Sequence, residues 1–236
     1  MSDEKFAVAM DFVRGWEGGW SNHAADPGGL TKWGVTIKTL IAKALDFNRD
    51  GRVDAKDLAA MTREQAEALY RSDYFDACRC GDLPAPLAML VFDCAVNQGP
   101  GRAGRFLQQA VGASVDGSIG DKTVAKACAA WAADSRAVLR EFQVRRGLHY
   151  SSLPTLATFG LGWFRRLFDG VIQAAVMGSD APAVLAVRDD GAAEWLADLA
   201  ADIEAIGFAM ADAKAVADGA AAELRDRAGE MLGEAA

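Results

Sequence analysis

A glutamate beside two glycines stands where a helical pattern gives way to a loop. Glu17 is the centre of the segment WEGGW (residues 16–20), and apolar side chains recur at helical spacing through residues 3–16 before it. Cleavage of a glycosidic bond needs an acid that protonates the leaving oxygen, and indole rings can desolvate a carboxyl and raise its pKa toward the working pH. The motif alone is weak, because a glutamate at a helix end is more often a solvated surface charge.

A second carboxyl follows nine residues later. Asp26 opens the segment DPGGLT (residues 26–31), and WGVT (residues 33–36) comes directly after Lys32. Glycine, asparagine, aspartate and proline are frequent in residues 18–34, which predicts turns and irregular loop with possible short strand pairing around 33–35. Two carboxyls near one loop satisfy the minimum that glycoside hydrolysis requires, an acid and a second group that assists at the anomeric carbon or its attacking water.

These segments resemble glycoside hydrolase family 108, the phage and bacterial N-acetylmuramidases. The resemblance continues through residues 7–170 in the segments LYRSDYF (69–75), FDCAVNQGP (92–100), FLQQ (106–109), VDG (115–117) and GW (162–163) with Arg166. It implies a lysozyme-like helical fold with a small irregular or β segment after the first helix. It also implies that Glu17 is the catalytic acid, that Asp26 and Thr31 orient water or stabilise charge, and that the substrate is peptidoglycan.

Four further side chains suit a sugar-binding groove, because an aromatic face can stack on pyranose C–H groups and an amide can bond an N-acetyl group. These are Trp20, Trp33, Tyr74 and Asn97. The sequence is equally compatible with a structural role for Tyr74. Asn97 comes just before Gln98-Gly99 and is as readily interpreted as a helix cap.

A calcium loop is predicted between two helical patterns. The segment DFNRDGRVDAKD (residues 46–57) fits the EF-hand template, with a glycine at position 6 and an apolar residue at position 8. The six predicted ligands for Ca²⁺ are Asp46, Asn48, Asp50, the carbonyl of Arg52, Asp54 and Asp57. Asp57 replaces the usual bidentate glutamate and should weaken binding, so we expect a structural clip rather than a sensor, and a metal-free polar turn is the alternative.

The rest of the pattern predicts a mainly α protein. Helical spacing recurs at about 36–45, 55–75, 84–97, 101–112, 121–133, 134–148 and 160–176. We expect a catalytic region at 1–97, a helical region at 98–176 that resembles peptidoglycan-binding modules and completes the fold, and an acidic, Ala-rich helical extension at 177–236. The Asp116-Gly117 turn carries the likeness to those modules, and a buried structural turn explains it equally well.

Charge divides the chain unevenly. The net charge is −8, yet residues 98–169 carry five more basic than acidic side chains and residues 170–236 carry nine more acidic than basic ones. The basic stretch could face an anionic polymer such as peptidoglycan, and no nucleic-acid partner is expected. An apolar seam through residues 192–236 predicts a helical partner surface, supplied by the same chain, a second copy or another protein.

The compartment is also predicted from the sequence. The acidic N-terminus lacks a Sec leader, and apolar stretches are too short for a membrane span, so we expect synthesis in a bacterial or phage-infected cytoplasm and action in the periplasm or cell wall after release. The four cysteines are expected to be reduced and mostly buried. Beside an active muramidase, two alternatives stay open, a non-catalytic calcium-dependent wall-binding or assembly protein and a lytic transglycosylase.

Overall fold

The computed structural model describes residues 2–16 and 30–178, and this part of the chain is mainly α-helical, as the sequence predicts. One antiparallel strand pair, β1 (Thr31–Lys32) with β2 (Val35–Thr36), follows the first helix. A π-helix spans Arg71–Asp76 and a 3₁₀-helix spans Cys80–Asp82. The α-helices are α1 (Ser2–Trp16), α2 (Ile37–Ala42), α3 (Ala55–Ala60), α4 (Arg63–Tyr70), α5 (Ala85–Gln98), α6 (Pro100–Ala110), α7 (Asp121–Ala133), α8 (Ser135–Ser151) and α9 (Leu156–Gly178).

Helix α5 is the centre of the fold. It begins after Pro84, which fixes a backbone angle and lacks an N–H that a first turn would leave unpaired, and it ends at Gly99, whose φ is 90°. Residues 86–95 are all buried, since α1, α6 and α9 pack around this helix. Apart from Asp93 these buried residues are apolar, and a helix with apolar residues on every face needs such complete cover.

Helix α1 is fixed against α5 at its N-terminal half. Phe6 meets Phe75 and Phe92 edge to face, with ring centroids 5.3 and 5.8 Å apart. The ammonium of Lys5 donates to the carbonyls of Gly81 and Leu83 at 2.9 and 2.7 Å. These contacts set the direction in which α1 runs toward Trp16.

The prediction of one helix over residues 55–75 was wrong in one respect, because two helices, α3 and α4, are separated there by Met61 and Thr62. Met61 takes an extended conformation, and Thr62 caps α4 through a reciprocal pair of hydrogen bonds with Gln65. This capping box satisfies backbone N–H groups that a continuous helix would have bonded internally. The strand pairing expected around residues 33–35 is confirmed, with Lys32 opposite Val35.

The described helices that follow α5 share its core. Helices α6, α8 and α9 pack on α5 or on one another. Gly104 on α6 permits close approach of the loop that follows, because a Cβ there would overlap the carbonyl of Gly117. Of the described helices, none has the length and apolar character that crossing a membrane requires.

All four cysteines are free thiols, and three of them are buried, which confirms the prediction from the sequence. Burial raises the pKa of both Cys78 and Cys94 to about 12. Such thiols stay protonated at neutral pH and are poor nucleophiles.

Candidate active site

The C-terminal end of α1 opens onto a cleft of about 590 Å³. One wall is formed by α1 and the other by α9, and the described lining residues are Asp11, Phe12, Gly15, Trp16, Asp169, Ile172 and Gln173. The volume lies within the range of small-molecule sites in proteins. Aromatic rings beside carboxyl and amide groups suit a saccharide, which presents both C–H faces and hydroxyls.

Helix α1 ends at Trp16, so the peptide bond that follows leads directly to Glu17. Val13 is buried one turn earlier, and Arg14 forms a 2.8 Å ion pair with Glu67 on α4. The last turn of α1 is therefore held on two sides. Glu17, Trp20 and Asp26 themselves lie outside the described residues.

Two of the cleft residues, Asp169 and Gln173, were not predicted from the sequence. They lie one turn apart on α9, so both present polar groups to the cleft from a helix that is otherwise largely apolar. In the sequence, the feature that could have indicated a role for them is this pair of polar residues at positions i and i+4. It was hidden because nothing in the sequence shows that α9 returns to α1.

The predicted residues Thr31 and Trp33 belong to the short hairpin. Thr31 pairs with Thr36 across the strands, and Trp33 occupies the turn with a φ of 49°. The ammonium of Lys32 lies 4.3 Å from the centre of the Trp33 ring and also donates to the carbonyls of Ala59 and Met61. A cation over an aromatic face is attractive, so the half-buried indole is held in place.

Tyr74 lies in the π-helix, a conformation that is rare and often found at functional sites. Its ring contacts that of Tyr70, with centroids 5.6 Å apart. The neighbouring Asp73 accepts a 2.8 Å hydrogen bond from Lys43, which links this segment to the end of α2. Thr31, Trp33, Tyr74 and Asn97 thus come from three separate elements.

The interpretation of Asn97 as a helix cap was wrong, because α5 ends at Gly99 and the Asn97 side chain bonds elsewhere. Its Oδ1 accepts a 2.7 Å hydrogen bond from the hydroxyl of Tyr150 on α8. Tyr150 in turn belongs to a buried group of side chains that we name the Asp93 cluster, comprising Asp93, Gln143, Arg146, Tyr150 and Arg166.

The Asp93 cluster joins three helices by charge. Asp93 and Arg146 are fully buried and bonded at 2.7 Å, and Arg166 on α9 bonds the other oxygen of the carboxylate at 2.7 Å. Burial alone would lower the pKa of Arg146, but Tyr150 and Asp93 more than offset it and raise that pKa above its usual value. The guanidinium therefore stays charged inside the protein.

The predicted calcium residues form a turn between α2 and α3, and we name residues 46–57 the carboxylate loop. Its carboxylates accept from backbone N–H groups. Oδ1 of Asp46 bonds Arg49 at 2.6 Å and Oδ2 bonds Gly51 at 2.8 Å. Asp57 is fully buried and bonds the amides of Asn48 and Asp54 at 3.1 and 2.8 Å, which lowers its pKa, the bond from Asp54 contributing most.

The calcium site stays a prediction. Among the residues that the structure describes, no three side chains of histidine, cysteine, aspartate or glutamate are grouped to hold a metal ion. Asn48 and Asp54 accept from the amides of Asp50 and Lys56 at 2.8 and 2.7 Å. The side-chain oxygens are of the kind that Ca²⁺ prefers as ligands, but each of these side chains also accepts a hydrogen bond from a backbone N–H group.

The Asp116-Gly117 turn is held by a buried amide. Oε1 of Gln108 accepts from the N–H groups of both turn residues, at 3.0 and 2.8 Å, and its Nε2 donates to Asp116 and to the carbonyl of Ser118. Gly117 has a φ of 87°, a value that glycine adopts without strain. These contacts give the turn a structural role.

Comparison with known proteins identifies the relatives of this fold. The model of the family described as Glycosyl hydrolase 108 matches residues 10–99, a stretch that contains every residue predicted for catalysis or substrate binding. The solved structure of Brucella abortus SagA is similar, with a TM-score of 0.65 and 33% identity over 76% of this chain and 99% of that chain. A search of curated proteins gave no match. The matched family consists of glycoside hydrolases of peptidoglycan, and on the likeness in both sequence and structure this chain belongs to the glycosyl hydrolase 108 family.

Proposed function

We propose that this protein is an N-acetylmuramidase that cuts the glycan strand of peptidoglycan between N-acetylmuramic acid and N-acetylglucosamine, with Glu17 as the general acid. The observation that carries the proposal is the end of α1 at a cleft. Trp16 lines that cleft opposite Asp169, and Glu17 is the next residue in the chain. A carboxyl next to an indole at a cleft has the surroundings that general acids of glycoside hydrolases need.

The chemistry follows from the roles of two groups. Glu17 would donate its proton to the bridging oxygen, so that the leaving sugar departs as an alcohol while positive charge develops at the anomeric carbon. Asp26 and Thr31 are proposed to stabilise that charge or to orient the attacking water. Trp20, Trp33, Tyr74 and Asn97 are proposed to bind the flanking sugars.

The carboxylate loop is proposed to bind Ca²⁺ as a structural clip, with no part in the chemistry. Its oxygen donors are hard ligands, and Gly51 has the positive φ, 83°, that the sharp turn at position 6 demands. Because Asp54 caps α3, which starts at Ala55 within the loop, a bound ion would link α2 to α3.

Peptidoglycan in the cell wall is the proposed partner, reached after release from the cytoplasm. The region 98–176 is proposed to assist wall binding through its basic surface, and residues 192–236 to form an accessory helical module for packing or assembly. That last region lies outside the described residues. Deleting it is expected to leave the Glu17 chemistry intact.

The products of digestion test the proposed reaction. Purified peptidoglycan is incubated with the protein, and the released muropeptides are analysed by mass spectrometry before and after borohydride reduction. A muramidase adds water, so we expect fragments that end in reducible N-acetylmuramic acid. Fragments that end in the 1,6-anhydro sugar would identify a lytic transglycosylase instead, and the absence of glycan fragments would favour a wall-binding protein.

A further inference from the structure

The amide of Asn97 has a fixed polarity. Arginine carries only hydrogen-bond donors, so the contact of 3.4 Å between Nη2 of Arg146 and the Tyr150 hydroxyl makes that hydroxyl oxygen an acceptor. The single proton of the hydroxyl is then free for Oδ1 of Asn97, 2.7 Å away. Oδ1 therefore points into the protein, and Nδ2, which can only donate, is the other end of the amide.

The donor that sets this polarity cannot turn away. Arg146 is fully buried, and its Nη2 is 2.7 Å from Asp93 while its Nη1 is 3.2 Å from Oε1 of Gln143. Gln143 itself donates to the carbonyl of Leu167 at 2.9 Å. Releasing Arg146 from these partners would leave a buried charge unpaired, which is strongly unfavourable. The orientation of Asn97 is thus imposed from the core.

An aromatic surface packs against a face of the same phenol ring. Trp163 stacks on Tyr150 with centroids 5.2 Å apart and planes 20° from parallel. Phe159, one turn earlier on α9, contacts Trp163 at 5.9 Å and is 54% exposed. We name Phe159 and Trp163 the aromatic ledge. Tyr150 thus contacts both the amide and the ledge.

We propose that Asn97 and the aromatic ledge form a subsite for one N-acetylated sugar ring, in which Nδ2 of Asn97 donates to the acetamido carbonyl and the ledge packs against the ring. Tyr150 is the positioning residue that keeps the amide in the donating orientation. The proposal rests on the proposed function, because it takes an N-acetylated glycan as the substrate. A sugar ring fits better than an apolar partner, since an apolar surface would leave Nδ2 without an acceptor.

Binding of two matched oligosaccharides tests the subsite. Full-length Glu17→Gln protein, which should not cleave them, is titrated calorimetrically with N-acetylchitotetraose and with cellotetraose, which has hydroxyls in place of the acetamido groups. We expect N-acetylchitotetraose to bind more tightly. Tyr150→Phe, which keeps the ring but lets the amide rotate, should reduce that preference by roughly three- to tenfold, the worth of one neutral hydrogen bond. Trp163→Leu should weaken both ligands alike.

A neighbouring variant controls for loss of stability. Ser151 on α8 is also buried, and its hydroxyl donates only to the carbonyl of Gly147 one turn earlier, so Ser151→Ala should lower the melting temperature without changing the preference. Asn97→Asp keeps the acceptor for Tyr150 and removes the donor, and it should abolish the preference even if Tyr150→Phe folds poorly. A preference unchanged by both variants, or absent from the parent protein, would overturn the subsite. Lysis of peptidoglycan by the wild type in parallel shows whether the proposed function fails as well.

Discussion

Two polar networks of this protein are built in opposite ways. The Asp93 cluster takes charged side chains from α5, α8 and α9, with partners 53 and 73 residues apart in the sequence. The carboxylate loop uses side chains that accept from backbone amides at most nine residues away. The first exists only when three helices have assembled, whereas the second can form wherever its own short segment folds.

The difference bears on what each network can do. In the Asp93 cluster every charge has left water, so its partners must stay together and the position of Tyr150 at its edge is fixed. In the carboxylate loop Asp57 is buried, but Asp46, Asn48, Asp50 and Asp54 are partly or fully exposed, so the proposed ion could reach them from solvent. A rigid network in the core can hold a substrate-binding side chain in one orientation. A partly exposed loop can bind an ion that exchanges with solvent.

The largest effect on stability is expected from Asp93→Asn. This change keeps the shape of the side chain but leaves Arg146 and Arg166 buried without a carboxylate, which should cost about 3–5 kcal/mol of unfolding free energy. Urea unfolding measures it. Asp82→Asn is the control, since Asp82 pairs with Arg79 at 2.8 Å on the surface and should be nearly silent. Equal losses in the two variants would contradict the contrast between buried and exposed charge.

Calcium should have the next largest effect on stability, through binding at the carboxylate loop. An ion that binds only the folded state stabilises it by mass action, by about 2.7 kcal/mol at a concentration one hundred times the dissociation constant. We expect calcium to raise the melting temperature of the wild type but not of a variant with Asp46→Ala and Asp50→Ala. Magnesium at the same ionic strength is the control. A melting temperature that is the same in millimolar calcium and in chelator would identify a metal-free turn.

The smallest effect is expected from Asp57→Asn, and it should depend on pH. Hydrogen bonds to the carboxylate lower the pKa of Asp57 from 3.8, so its contribution is full above that value and disappears as the pH falls through the lower folded-state pKa. The variant should therefore be less stable than the wild type at pH 7, by less than Asp93→Asn, and the gap should narrow in acid. A gap that is independent of pH would show that the carboxylate charge is not what the amides stabilise.

The same contrast explains how much could be predicted from the sequence. Helix α1, the strand pair and α5 to α7 follow local signals, such as Pro84 before α5 and apolar spacing through α1. The break at Met61 was missed because the capping box of Thr62 and Gln65 was read as a helix interior. In both cases the sequence contains a local signal. The error was to give the helical spacing over residues 55–75 more weight than the capping box inside it.

The site was predictable only where it is local. The segment around Glu17 and the residues Thr31, Trp33, Tyr74 and Asn97 were assigned to the site from motifs, and their roles stay predictions. The hydrogen bond from Tyr150 to Asn97 and the position of Asp169 in the cleft beside α1 were not predicted, because α8 and α9 reach these places through packing that no short segment encodes. Long-range partners become visible only when the helices are placed together.

The central claim, that Glu17 is the general acid, is tested most directly by Glu17→Gln assayed for turbidity loss of purified peptidoglycan. The amide cannot donate the proton that the leaving sugar needs, so lysis should fall on the order of a hundredfold or more while the melting temperature stays unchanged. Glu141→Gln, which alters a surface pair with Arg145 on α8, is the matched control and should lyse like the wild type. Lysis by Glu17→Gln within about tenfold of the wild type would contradict the acid role.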